Sequence, residues 1–218
     1  MLKVHGVRQS PFVRKVLAVL EMKELQYEVV DVFPFDKKPE FTKISPLGKI
    51  PALEDGALTL SDSTVICEYL DEQYPAVSTL PVSAADRANA RWLEEFADTK
   101  LDALLVGTVF YEVVVKPVFL KQETDNAKLE LAINTLLPPV LDYLETRLPA
   151  EGYLFGHFGR AEISLVTPFI NAGYADYTVD AVRWPKLAAF IERVKQHPAF
   201  AGLLAIEAKF IPALLGKK

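Results

Sequence analysis

The first part of the chain switches between two periods of apolar residues. Residues 2–6 read as a short strand, and 27–32 as a strand rich in β-branched side chains. Between them Phe12, Val13, Val16, Leu17 and Leu20 recur at the spacing of one buried helical face, which predicts a helix over 11–22. Residues 40–44 form at most a short helix. Two short strands, 52–53 and 57–60, flank Asp55-Gly56, a hairpin turn signal. A helix follows from about residue 64 to Gln73, where Tyr74-Pro75 stops it.

After Pro81 only the helical period remains. Residues 85–115 carry Trp92, Leu93, Phe96, Leu101, Leu104 and Leu105 on one apolar side, and Pro117 is expected to end that helix. A second helix is predicted over 124–148 with Pro138-Pro139 inside it. A kink or break is expected there, because proline lacks the amide donor and clashes with the preceding turn. Further helices are predicted near 161–172, 185–196 and 198–208. An α/β stretch followed by an all-α stretch implies two packed domains, 1–78 and 85–218, joined near 76–84.

Composition narrows the function classes. The 218 residues are 50% hydrophobic and 24% charged, an ordinary globular balance. A net charge of −5, with no run of Lys or Arg, gives no footprint for nucleic acid. No signal-like segment opens the chain, and no apolar run reaches a membrane span, since Asp102, Thr108 and Glu112 interrupt 101–115. The single cysteine, Cys67, excludes an intramolecular disulfide and suits a reducing, cytoplasmic setting. It falls in an apolar helix, where a buried, inert thiol is expected. His5, His157 and His197 are too scattered for metal-ligand spacing, so no metal is expected.

Three short segments carry candidate chemistry. Ser10-Pro11 joins the first strand to the first helix. Serine is a favoured cap and proline a favoured first helical residue, so a purely structural role fits. The same geometry also fits thiol activation: a hydroxyl at a helix N-terminus can donate to a bound sulfur, where the dipole favours negative charge. A free thiol is only about 3% ionised at neutral pH, and lowering its pKa by ~2 units makes most of it thiolate. Ile50 precedes a proline, which keeps it extended and leaves its backbone available to a ligand strand. Ser63 stands where an N-cap belongs, so free amides at that helix start could hold an anion.

The runs Val7-Arg8-Gln9-Ser10-Pro11-Phe12-Val13-Arg14 and Ser45-Pro46-Leu47-Gly48-Lys49-Ile50-Pro51, with Asp62-Ser63 after them, resemble the glutathione S-transferase family. Ile66-Cys67-Glu68-Tyr69-Leu70 looks like its omega branch, which has cysteine where this chain has Ser10. The resemblance implies a thioredoxin-like α/β domain followed by an all-α domain, glutathione as co-substrate, and a homodimer. It implies Ser10 as the thiol activator and Ile50-Pro51 as a cis bond whose Ile50 backbone pairs with the cysteinyl part of glutathione. Lys38 and Lys49 would lie by the glycyl carboxylate, although either can equally be a solvated loop charge. Ser63 would take the γ-glutamyl carboxylate and Asp62 would face its ammonium. Phe12, Phe110 and Tyr111 would line the acceptor pocket; on periodicity alone an aromatic pair at 110–111 is as readily core. Gly159 and Glu162 resemble the family's capping motif, a folding element. The expected reaction is conjugation of glutathione to a small electrophile, with no nucleic-acid or membrane partner. A glutathione-dependent isomerase or reductase, or a non-catalytic binding protein, are the alternatives.

Overall fold

The computed structural model describes residues 1–34 and 39–215, in two compact units, Met1–Thr79 and Leu80–Lys218. The first unit is built on four strands: β1 (Leu2–His5), β2 (Tyr27–Val30), β3 (Ala52–Asp55) and β4 (Leu58–Ser61), in the order β2-β1-β3-β4. β1 runs parallel to β2 and antiparallel to β3; β4 is antiparallel to β3. The parallel pair needs a crossover, supplied by helix α1 (Pro11–Met22). Short helix α2 (Pro39–Ile44) precedes β3, and α3 (Ser63–Gln73) follows β4. This is a thioredoxin-like α/β unit.

Several strand boundaries differ from the sequence expectation, two of them for evident physical reasons. β2 stops at Val30, not 32, because Val30 pairs with His5, the last residue of β1, and only the Gly6 amide reaches its carbonyl, at 3.0 Å. The hairpin turn is Gly56-Ala57, not Asp55-Gly56: Asp55 is paired with Leu58, and Gly56 takes the left-handed φ of 59°. That frees the Asp55 carboxylate to accept bonds from the hydroxyls of Tyr69 and Tyr74, each 2.8 Å. Burial, followed by the bond to Asp55, pushes the Tyr69 phenol up to about 12. These bonds fasten α3 to the hairpin. At the other end of α1, Lys23 is ion-paired with Asp71 at 2.8 Å and donates to the Tyr74 and Val77 carbonyls. Asp71 also accepts from the Thr79 amide and hydroxyl, so one carboxylate secures the end of the unit.

Gly6 has φ 148°, and a Cβ there would lie 2.5 Å from Val13 Cγ2 and 3.2 Å from Ile50 Cβ. The end of β1, the first turn of α1 and the segment before Pro51 therefore meet at a point with no room for a methyl group.

The second unit is helical. α4 (Ala84–Phe96) continues without a break into a wide, π-type segment, Ala97–Leu120. Next come α5 (Asn126–Leu131), a short π segment Ala132–Leu136, α6 (Leu137–Arg147), α7 (Arg160–Tyr174), α8 (Pro185–Lys195), α9 (Pro198–Glu207) and α10 (Ile211–Leu214). α7 is buried almost throughout its length and packs on α4 and the long π segment. The buried Arg160 and Glu94 face each other across α7 and α4 at 3.8 Å.

Pro117 does not end the long helix, which runs on to Leu120. With i→i+5 bonding, the donor proline lacks would have served the Glu112 carbonyl. The Thr124 hydroxyl donates to that carbonyl instead, at 2.9 Å. Pro138-Pro139 does not break the second helix, which is continuous from Asn126 to Arg147: bonding shifts to the π pattern over Ala132–Leu136, where the Leu137 amide reaches the Ala132 carbonyl, and the two prolines follow as the second and third residues of α6. Because it passes Pro117, the 37-residue helix Ala84–Leu120 is long and apolar enough to cross a membrane by length and composition, which the sequence reading did not expect. In this structure 44% of its most apolar window is buried within the protein, with Leu101, Leu105 and Val109 in the core.

At α7 the capping motif works by half. Glycine offers no side chain, but Glu162 accepts from the Gly159 amide at 3.0 Å and from the Leu154 amide at 2.8 Å. Burial pushes the Glu162 carboxyl up to about 7 against these bonds. Glu112 is the opposite case. Burial pushes it up, but Lys116 at 2.7 Å, the Asp125 amide at 3.0 Å and Lys128 at 3.1 Å outweigh that and hold it at about 2.

Two stability predictions follow from these contacts. Gly6→Ala should cost about 2–3 kcal/mol, from overpacking and a strained φ, read as a lowered urea midpoint. An unchanged midpoint would mean the three segments can separate without cost. The stabilisation from Glu112 is fully present above its unfolded pKa of ~4.5 and should be lost as pH falls towards about 2. Acid unfolding of Glu112→Gln should lack that component, and wild-type and mutant curves of the same shape would reject the assignment.

Candidate active site

The sheet register lines up three exits. His5 at the end of β1 pairs with Ala52 at the start of β3, and Ala52 pairs with Ser61 at the end of β4. Ser10 and α1 follow the first, Ile50-Pro51 precedes the second, and Asp62-Ser63 and α3 follow the third. With strands about 4.8 Å apart, the three elements open along one edge of the first unit over roughly 10 Å.

Ser10 caps α1 with φ −71° and ψ 130°. Its Oγ accepts from the Val13 amide at 3.5 Å, a long bond and therefore a weak one. Capping uses an oxygen lone pair, so the hydroxyl proton stays available to a ligand. The turn before it is closed by the Ser10 amide on the Val7 carbonyl, 3.0 Å, and braced by the buried Arg14, whose Nη2 donates to the Gln9 carbonyl at 3.3 Å. The first turn of α1 holds no acidic residue to compete with a bound anion.

The Ile50-Pro51 bond is cis, as the motif implied. The Ile50 side chain is buried, and among the described residues no backbone partner occupies its N–H or C=O. The loop before it is held from inside by the fully buried Ser45. Its hydroxyl donates to the Lys49 carbonyl at 2.7 Å, and its own carbonyl accepts from the Gly48 amide at 2.8 Å. The Lys49 side chain is exposed, and Lys38 lies outside the described residues.

At α3 the cap is Asp62, not Ser63. Asp62 adopts a left-handed φ of 85°, and its Oδ1 accepts from the amides of Thr64 at 2.9 Å and Val65 at 3.1 Å. The expectation of several free helix amides is corrected accordingly, because a carboxylate one residue earlier reaches them first. Ser63 becomes the first helical residue and is 4% exposed. Both Asp62 bonds fall on one oxygen.

The aromatic candidates sit apart in character. Phe12 is partly exposed in the first turn of α1. Phe110 is 8% exposed and belongs to an apolar cluster with Val114 and Val115. Tyr111 packs against that cluster, with Lys128 Nζ 5.9 Å from its ring centroid. Cys67 is fully buried. Three residues with evident positioning work went unnoticed in the sequence: Ser45, Arg14 and Lys15, the last fully buried with its Nζ 3.2 Å from Thr64 Oγ1.

Comparison with known proteins accounts for this arrangement. The glutathione S-transferase N-terminal domain family matches residues 4–78. A glutathione S-transferase of Hyoscyamus muticus is 33% identical over 161 residues, covering 71% of this chain and 74% of that protein. The pyrimidodiazepine synthase of Drosophila melanogaster is 29% identical over 215 residues, covering 91% and 79%. A crystal structure of a glutathione S-transferase from Rhodospirillum rubrum superposes with a TM-score of 0.84 at 29% identity, covering 94% of this chain and 92% of that one. The chain belongs to the glutathione S-transferase family.

With the family known, the α3 start can be tested directly. Ser63→Ala should weaken glutathione binding by about 1–3 kcal/mol, the cost of losing a hydrogen bond to a charged group, measured by calorimetric titration. Unchanged affinity in a folded mutant would remove Ser63 from the site.

Proposed function

We propose that the protein is a glutathione transferase that conjugates the thiol of glutathione to a small electrophile. The observation that carries this reading is the register His5–Ala52–Ser61, which aligns a hydroxyl at a helix N-terminus, an extended backbone segment and a second helix start. Glutathione has three recognisable parts in a matching order: a thiol for Ser10, a peptide for the Ile50 backbone, and a γ-glutamyl end for Asp62 and Ser63. The Ser63 hydroxyl and amide take the α-carboxylate, and the second oxygen of Asp62 faces the ammonium. Lys49, and Lys38 on the strength of the resemblance, supply positive charge for the glycyl carboxylate. Phe12, Phe110 and Tyr111 are the candidates for the electrophile's surroundings.

The chemical step is nucleophilic. The sulfur gives up its proton to solvent, attacks the electrophilic carbon, and the leaving group departs with its electron pair. Ser10 donates a hydrogen bond to the sulfur as charge develops, and the α1 dipole adds to it. Holding both reactants in line supplies the rest of the acceleration. The reading includes a two-fold dimer in a reducing, cytoplasmic compartment. One relative is named a pyrimidodiazepine synthase and not a transferase. A glutathione-dependent isomerase or reductase on the same site is the competing assignment, but an oxygen at position 10 cannot form the mixed disulfide that thiol transfer through that residue would need.

Substitution at Ser10 separates these readings. Ser10→Ala should raise the apparent pKa of bound glutathione and slow conjugation of an aryl halide at neutral pH, with little change in glutathione affinity. Ser10→Cys should lose conjugation and gain disulfide reduction, because a thiol at a helix N-terminus is acidic and nucleophilic. A wild-type pH–rate profile in Ser10→Ala would reduce the serine to a helix cap. Tight glutathione binding without turnover on any electrophile would favour a non-catalytic binding protein.

A further inference from the structure

Helix α1 buries two consecutive cations, Arg14 and Lys15, at 1% and 0% exposure. A lysine that cannot reach water must have its ammonium satisfied inside the protein. Lys15 directs its Nζ away from its own helix to the first turn of α3, where Thr64 Oγ1 accepts at 3.2 Å. The same Thr64 has its amide held by Asp62 Oδ1 at 2.9 Å. Thr64 is thus gripped from both sides, next to Ser63 and to the left-handed backbone of Asp62. A non-glycine residue at φ 85° persists only where its surroundings hold it there. Arg14, one residue earlier, reaches the opposite way to the carbonyl preceding Ser10.

We propose that Lys15 is a positioning residue that sets the α3 start, and with it Ser63 and Asp62, at a fixed distance from Ser10. This rests on the reading of the α3 start as the γ-glutamyl end of the glutathione site. A ligand that engages both helix starts at once is sensitive to their separation, and a shift of about 1 Å is enough to cost a large part of the benefit. Lys15 therefore acts on recognition of that carboxylate, and through Thr64.

The test compares two ligands on the full-length protein by calorimetry: glutathione, and 4-aminobutyryl-cysteinylglycine, which lacks only the α-carboxylate. The wild type should prefer glutathione; equal affinity for both would overturn the γ-glutamyl reading itself, and with it this proposal. Given that preference, Lys15→Met should lower glutathione affinity about tenfold, the loss expected for hydrogen bonding to a charged group, and weaken the analogue, which keeps the ammonium opposite Asp62, by distinctly less, so that the preference falls. Thr64→Val, which keeps the lysine and is close to isosteric, should reduce the preference in the same direction and serves if Lys15→Met does not fold. The double mutant should lose less than the sum of the two single losses, since the two side chains are in contact. Proportional weakening towards both ligands would mark Lys15 as a general stabiliser and overturn the proposal. So would a glutathione preference that survives both single substitutions.

Discussion

The pairing of His5 with Ala52 and of Ala52 with Ser61 is the constraint on which the candidate site depends. Strand register is quantised: a slip of one residue in β3 would turn every side chain of that strand to the other face. It would also move Ile50-Pro51 by a residue relative to Ser10 and to α3. The register is fixed by burial, since Leu53, opposite Val4, is 1% exposed and a slip would put either Glu54 or the much smaller Ala52 in its place. It is fixed again by Gly6, where contact with Val13 and Ile50 leaves no slack between the first strand, the first helix and the cis turn. The geometry available to a ligand is thus a by-product of core packing, and needs no flexible loop to assemble it.

Much of this could be read from the chain. Element type followed the apolar period wherever one face was buried and the other was not, as in α3 and α4. The cis bond and the order of the three segments came from motif resemblance, since composition is silent on both. What escaped is instructive. The apolar spacing marked one buried face of α1 and assigned no role to Arg14 and Lys15, but α1 is buried continuously from Val13 to Leu20, so both cations are interior. Sequence periodicity shows where apolar residues lie and says nothing about what covers the rest. The cap at α3 was assigned to Ser63 by residue preference, yet Asp62 is equally a capping residue, and the choice turned on a left-handed φ that the chain adopts one position earlier. Pro117 failed as a helix stop because its cost depends on whether another donor reaches the orphaned carbonyl, and Thr124 is seven residues further on.

The helical unit shows the same dependence on distant partners. Glu112 and Glu162 are both buried glutamates, and although the capping motif marks Glu162, nothing in the sequence shows that the two shift in opposite directions. Glu112 has two ammonium groups and an amide within 3.1 Å and is held at about 2, while Glu162 has backbone amides and is pushed to about 7. Hydrogen bonds from neutral donors offset part of the desolvation of a carboxylate; adjacent full charges reverse it. One residue type therefore serves as an ionised hub at the end of the long helix and as a helix cap poised near neutrality at the start of α7.

Ser10 brings the structural and chemical readings together. A capping serine and a thiol-activating serine are usually weighed as rivals, but they use different parts of the same hydroxyl. The cap needs a lone pair directed at the Val13 amide; activation needs the proton directed at a sulfur. At 3.5 Å the capping bond is too long to fix the hydroxyl strongly, while the turn behind it is secured by the Val7 carbonyl and by Arg14. Backbone rigidity together with a loosely committed hydroxyl is the combination a hydrogen-bond donor to a developing thiolate requires. A cysteine at this position would have sulfur in place of oxygen and a longer, weaker bond to the same amide. Its own ionisation would then be the property tuned by the helix start, and the same backbone would support a different reaction with no change of fold.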